Sequence, residues 1–192
     1  MRLPKGEVVV KPAIGAGSID TGRFVDRAAA RAHVAALQDS GRTALVQPYD
    51  ARVEQGETAL VFLGGRQSHA FTKGPMLPPE GESPVLHESG TYVEESLAAA
   101  DPDFEIWDVG VAALAAAGRR LGIETSELLY ARVDLIGGAD EPLVLELEVI
   151  EPSLGWRQLD ERTRDLQQRA FAIEVESACE RLGLGPLSHR RP

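Results

Sequence analysis

Short apolar runs alternate along this chain with polar stretches rich in glycine and proline. Apolar runs of four to eight residues between turn formers predict strands, and apolar positions three to four apart predict helices. On that basis Glu7–Lys11 (EVVVK) is a short buried strand stopped by Pro12. Asp26 caps a helix running to about Ser40, with Ala30, Val34 and Leu37 on its buried face and Gly41 closing it. Thr43–Gln47 is the next strand, broken by Pro48 and Tyr49, and the polar segment Asp50–Gly56 follows. Glu57–Gly64 and Gln67–Lys73 form a hairpin about Gly64-Gly65, with His69, Phe71 and Lys73 on one face and Ser68, Ala70 and Thr72 on the other. A second helix starts at Asp101-Pro102, with Ile106, Val109, Ala113, Ala117 and Leu121 as its buried stripe and Gly122 as its end. A third runs from about Asp160 to Leu182, with Phe171, Val175, Ala178 and Leu182 on one side.

Between those helices lies the most informative stretch, Leu128–Pro152. It reads as two strands joined by a Gly-rich turn at Gly138–Glu141. Tyr130, Arg132 and Asp134 share a face of the first strand, and Glu146 and Glu148 share a face of the second. The aliphatic residues take the opposite faces. A reversal at the turn sets Asp134 opposite Glu146 and Arg132 opposite Glu148. Like charges that close repel unless something positive lies between them. Mg²⁺, a hard cation held by a few carboxylates plus phosphate oxygens, suits such a patch. From this stretch alone a solvated polar sheet face is an equal reading.

Strands in antiparallel pairs with helices between them predict an α+β fold, a mainly antiparallel sheet with helices packed on one face. Gly74–Thr91 holds four prolines and no periodicity, and reads as a lid that orders over substrate. Ala13–Gly22 carries Gly15, Gly17 and Gly22 with hydroxyls at Ser18 and Thr21. Backbone N–H groups of such a loop can wrap phosphate oxygens, and Lys11 stands at the end of the preceding strand. The loop matches neither the Walker A pattern nor G-x-G-x-x-G.

Composition adds exclusions. A formal net charge of −10, with no basic cluster longer than His189-Arg190-Arg191, argues against a nucleic-acid partner. No apolar run is long enough for a bilayer, and no signal-peptide core is visible, so the expected location is the cytoplasm. The lone Cys179 excludes an internal disulfide and reads as a small buried hydrophobe. His33 and His69 read as packing or surface histidines, His87 as surface, and Trp107 and Trp156 as packing residues. Glu151 points away from Glu146 and Glu148 and is not expected to hold metal.

In order, VVVKPAIGAGS, LVQPYDARVEQGETALVFLGGRQSHAFTK, YARVDLI and LVLELEVIEPSLGW resemble the ATP-grasp superfamily, in its glutathione-synthetase-like branch with the cyclo-ligase group of cycloserine biosynthesis. The resemblance covers Glu7 to about Trp156. It implies an ATP- and Mg²⁺-dependent ligase (Mn²⁺ as an alternative metal) that joins a small carboxylate to an amine or similar nucleophile through an acyl-phosphate. By resemblance, Lys11 contacts the α/β-phosphates, and Gly15, Gly17 and Ser18 close over them. Gln47, Pro48 and Tyr49 form the adenine hinge, and Glu57 takes the ribose hydroxyls. Lys73 stabilises the transferred phosphoryl group, and Asp134, Glu146 and Glu148 hold magnesium, Glu148 standing where many relatives have asparagine. Arg132 is a catalytic candidate as their neighbour on the sheet face.

The implied domains are 1–47, ending the first ATP-binding lobe, and 48–192, the second lobe. The preceding substrate-binding domain and half-lobe of the family are expected to be absent. Pairing with a missing N-terminal portion, or a homo-oligomer, is the corresponding expectation. The alternative is a non-catalytic nucleotide- or partner-binding module derived from such an enzyme.

Overall fold

The computed structural model describes residues 3–15, 18–75 and 96–185. Contacts divide the chain into two units, Met1–Gly56 with Gly74–Ser96, and Glu57–Lys73 with Leu97–Pro192. The lid reading and His87 fall almost wholly outside the described residues, as does Gly17.

The first unit contains β1 (Val8–Pro12), β2 (Gly22–Phe24), α1 (Arg27–Asp39) and β3 (Ala44–Pro48). They form an antiparallel sheet of order β2-β1-β3. The three-residue strand β2 is too short to show a period and was not expected. Pro12 and Pro48 end their strands as expected, but from inside them rather than just beyond. Each is the last residue of its strand, where the missing N–H disturbs little of the ladder. Asp26 caps α1 as predicted, accepting from the Ala28 and Ala29 amides. Ala30, Val34 and Leu37 are the buried stripe, packed on Leu3, Val8 and Val10. His33 is a packing residue, its ring tilted on Phe24 and its Nε2 2.8 Å from the Asp20 carbonyl.

The second unit contains β4 (Glu57–Leu63), β5 (Arg66–Lys73), β6 (Leu97–Ala100), α2 (Phe104–Leu121), β7 (Tyr130–Ile136), β8 (Leu143–Glu148) and α3 (Glu161–Arg181). Their antiparallel sheet has the order β6-β5-β4-β7-β8. Gly64 and Gly65 make the predicted tight turn, both in the left-handed region at φ 54° and 75°. The β4–β5 register skips Ser68, and the β7–β8 register skips Leu145.

Helix α2 starts two residues later than predicted, with Asp103 rather than Asp101 as its N-cap. Leu97–Ala100 pairs with β5 as edge strand β6, so Asp101-Pro102 is needed as the connection. Its buried stripe is also rotated, to Ile106, Gly110, Leu114 and Gly118, with Leu121 exposed. The rotation follows from close approach: a Cβ at Gly110 would overlap Leu60 and press on Phe62. Glycine lets the helix axis sit lower on the sheet than the alanines beside it would.

Helix α2 covers the face built by Leu60, Phe62, Ala70, Val133 and Leu135. Helix α3 departs from the one-face expectation. Its Ala170 and Phe171 pack with Trp156 and Leu154 against Ala59, Val61, Leu63 and Phe71 on the other face. Leu182, expected to be packed, is exposed, and Glu174 is the buried residue of α3, paired with Arg66. Cys179 is half-buried. Trp107 packs edge-on against Phe62, as a core aromatic should. No described helix is long and apolar enough to cross a membrane.

Candidate active site

The face that α3 covers only in part carries the charged candidates. Alternation along β7 turns Val133 and Leu135 into the α2 core and leaves Arg132 and Asp134 on the opposite side. The β7–β8 pairing sets Asp134 against Glu146 and Arg132 against Glu148, the register expected from the turn. One carboxylate oxygen from each of Asp134, Glu146 and Glu148 lies within 4.8 Å of the others. Asp134 is buried, Glu148 half-buried and Glu146 exposed.

Lys73 reaches this cluster from β5. Its register partner on β4 is Glu57, and the β4 residue opposite Asp134 is Ala59. A methyl group is all that β4 places in between, so the lysine crosses over it. Nζ lies 2.6 Å from Asp134 Oδ2 and 2.7 Å from Glu57 Oε2. Arg132 donates from Nε to Asp134 Oδ1 at 2.8 Å and from Nη2 to Asp134 Oδ2 at 2.9 Å. It also donates from Nη2 to Glu148 Oε1 at 2.8 Å and from Nη1 to the Ser153 carbonyl at 3.1 Å. Lys73 is 2% exposed and Asp134 1%.

Charges this deep persist only when paired. Burial works to lower the Lys73 pKa, but attraction by Asp134 and Glu57 outweighs it and keeps the ammonium protonated beyond its ordinary range. Burial pushes the Glu57 carboxyl up, with Lys73 only partly offsetting it. Burial likewise raises Glu148 against the pull of Arg132. Glu57, Asp134, Glu146 and Glu148 thus confront two cations, and the patch is short of positive charge. An all-carboxylate donor set with one exposed member fits a hard divalent cation.

His69 is a packed residue. Its Nε2 lies 2.6 Å from the Leu154 carbonyl, its Nδ1 2.8 Å from Ser68 Oγ, and its ring leans on Trp156. Arg132 and His69 therefore hold two successive carbonyls of the segment after β8. In that segment Glu151, beyond the end of the strand and outside the carboxylate cluster, has a left-handed φ of 54°.

The first unit carries the other candidates. Lys11 is half-buried near the end of β1, opposite Leu45. Gly15 is exposed, and Ser18 is left-handed at φ 55°. Gln47 and Pro48 pair with Val9 and Val8 on β3, and the Tyr49 amide donates to the Glu7 carbonyl at 2.9 Å. One residue near this hinge escaped the sequence reading. The Arg23 guanidinium lies 3.7 Å from the Tyr49 ring centroid. It pairs with Glu7 and donates to Glu54 at 3.0 Å. The Tyr49 hydroxyl also donates to Glu54, at 2.6 Å, and burial together with that bond raises Tyr49 to about 12. The signal for Arg23 was its place beside Gly22, in a strand too short to read.

No family model matches the chain. Over 152 residues it is 42% identical to the cycloserine biosynthesis protein DcsG of Streptomyces lavendulae, an alignment covering 77% of this chain and 48% of that protein. The crystal structure of D-cycloserine synthetase DcsG superposes with a TM-score of 0.71 at 37% identity, over 92% of this chain and 56% of that one. D-alanine–D-alanine ligase from Bacillus anthracis, in complex with ATP, shares the fold at a TM-score of 0.59 and 15% identity, over 93% of this chain and 54% of that one. The ATP-grasp ligase PsnB, solved with Mg and ADP, shares it at a TM-score of 0.51 and 18% identity, over 88% and 47%. The chain spans about half the length of the relatives it matches. With this sequence identity and this fold, the chain belongs to the ATP-grasp superfamily.

Proposed function

We propose that this chain is the nucleotide- and metal-binding part of an ATP-grasp ligase that joins a carboxylate to an amine or similar nucleophile through an acyl-phosphate. The observation that carries the reading is the cluster of Asp134, Glu146 and Glu148 beside Lys73 and Arg132. DcsG, D-alanine–D-alanine ligase and PsnB lend support as relatives whose names describe a synthetase and ligases, two of them solved with a nucleotide.

Phosphoryl transfer is catalysed mainly by positioning and by neutralising phosphate charge. Asp134, Glu146 and Glu148 would hold magnesium, which when bound offsets the charge on the β- and γ-phosphates. Lys11 would contribute a positive charge from the first unit, with the amides around Gly15, Gly17 and Ser18 supplying hydrogen bonds. Gln47, Pro48 and Tyr49 would border the adenine. Lys73 would steady the transferred phosphoryl group and Arg132 the carboxylate side of the cluster. Glu57, matched to the ribose-binding acid of relatives, is bonded to Lys73 here, and we propose that it sets the direction of that ammonium.

The test is thermal unfolding of the chain with ATP, in Mg²⁺ or in EDTA, for the wild type and for Glu146→Gln/Glu148→Gln. A ligand that binds only the folded state stabilises it by about 2.7 kcal/mol at a hundredfold excess over Kd. A Mg²⁺-dependent rise that the double variant loses is the expected result. No rise in a chain that unfolds cooperatively overturns nucleotide binding by this polypeptide.

A further inference from the structure

The carboxylate cluster already contains two positive charges, and their placement bears on how a metal could enter it. Three of the roughly four lone-pair positions of a carboxylate are filled at Asp134. Oδ2 accepts from Lys73 Nζ and Arg132 Nη2, and Oδ1 accepts from Arg132 Nε. A divalent cation at the same carboxylate would lie within a few ångströms of both side chains, and like charges that close repel strongly away from bulk water. Both cations have somewhere else to go. Lys73 keeps Glu57 at 2.7 Å, and Arg132 keeps the Ser153 carbonyl at 3.1 Å. Letting go of Asp134 therefore leaves neither of them buried without a partner.

We propose that Lys73 and Arg132 are exchangeable counter-ions of Asp134. They neutralise it while no metal is bound, and they give it up when a divalent cation is taken by Asp134, Glu146 and Glu148, which turns them towards incoming phosphate. This rests on the metal-site reading above and adds an order to it. Lys73 becomes available to phosphate only after metal, or together with it. Metal-free nucleotide would meet a lysine still committed to two carboxylates.

The experiment uses Mg²⁺ alone and ¹⁵N-lysine labelling of the whole chain. The sequence has three lysines, Lys5, Lys11 and Lys73, so the Lys73 Nζ resonance can be assigned by substitution. Saturating Mg²⁺ is expected to move that resonance in the wild type and to leave it in place in Glu146→Gln/Glu148→Gln. Calorimetric titration of Mg²⁺ is expected to show Lys73→Gln binding about tenfold more tightly than the wild type, since a nearby positive charge has been removed. Lys73→Arg keeps the charge and should bind as the wild type does. A Lys73 resonance unmoved at saturating Mg²⁺ overturns the proposal, as does Lys73→Gln binding no more tightly. So does an absence of Mg²⁺ binding in both chains. If Lys73→Gln does not fold, the wild-type resonance decides alone. The functional reading fails separately, by the absence of any Mg²⁺-dependent ATP stabilisation, so a fixed Lys73 in a chain that still binds Mg·ATP sinks only the counter-ion exchange.

Discussion

Lys73 and Asp134 meet across an intervening strand, with Nζ 2.6 Å from Oδ2 although they stand 61 positions apart in sequence. Ala59 on β4 makes the contact sterically available. Together with Arg132 the pair is the electrostatic centre of the second unit, and several expectations depend on it.

Asp134→Asn removes the charge that two buried cations share. Breaking one side of a buried ion pair typically costs about 3–5 kcal/mol, because the partners keep their desolvation cost without their attraction. Urea unfolding should register a loss of that size. Glu146→Gln alters an exposed carboxylate and should stay within about 0.5 kcal/mol of the wild type. Equal losses in the two variants would contradict this account of the cluster.

Lys11→Met separates binding from folding. Lys11 is only half-buried in β1, so the unfolding midpoint without nucleotide should barely move. The additional stabilisation by Mg·ATP should shrink if Lys11 faces phosphate. An unchanged Mg·ATP shift removes Lys11 from the proposed site.

Gly110→Ala tests the close approach of α2 to the sheet. The added methyl meets Leu60 and Phe62, both fully buried. Overpacking of this kind costs about 1–3 kcal/mol, outweighing alanine's better helix propensity. Thermal denaturation of the variant should show a net loss of stability.

His69 gives the chain a pH dependence with a definite sign. Burial depresses its pKa below the ordinary 6.5, against the bond to Leu154, which raises it. The unfolded chain therefore binds a proton at His69 before the folded chain does. The stability involved is fully present above about pH 6.5 and is lost as the pH falls through the depressed folded value. Between pH 7.5 and pH 5.5 the melting temperature of the wild type should fall more than that of His69→Gln. Parallel slopes would mean that His69 does not report this burial.

Much of the site was legible because it is local. The β7–β8 hairpin has a period of two and one glycine turn, and these suffice to pair Asp134 with Glu146 and Arg132 with Glu148. The α1 stripe of Ala30, Val34 and Leu37 was legible for the same reason, a period carried by one element and a cap, Asp26, directly before it. Two short edge strands, β2 and β6, were not legible. Gly22–Phe24 is too short for a pattern, and the alanines of Leu97–Ala100 suit a helix as well as a strand until β5 supplies hydrogen-bond partners.

By itself the sequence determined which residues could share a face and where the tight turns fall, and its order of motifs pointed to the ATP-grasp superfamily. Only the tertiary structure decided that β4 lies between β5 and β7, and so that Lys73 bonds to Asp134 across Ala59 and holds Glu57 as well. It also decided that α2 rests on the sheet at Gly110, and that α3 covers part of the opposite face. Strand order and helix rotation are set by the joint burial of surfaces distant in sequence, and a period within one element carries no information about its neighbour.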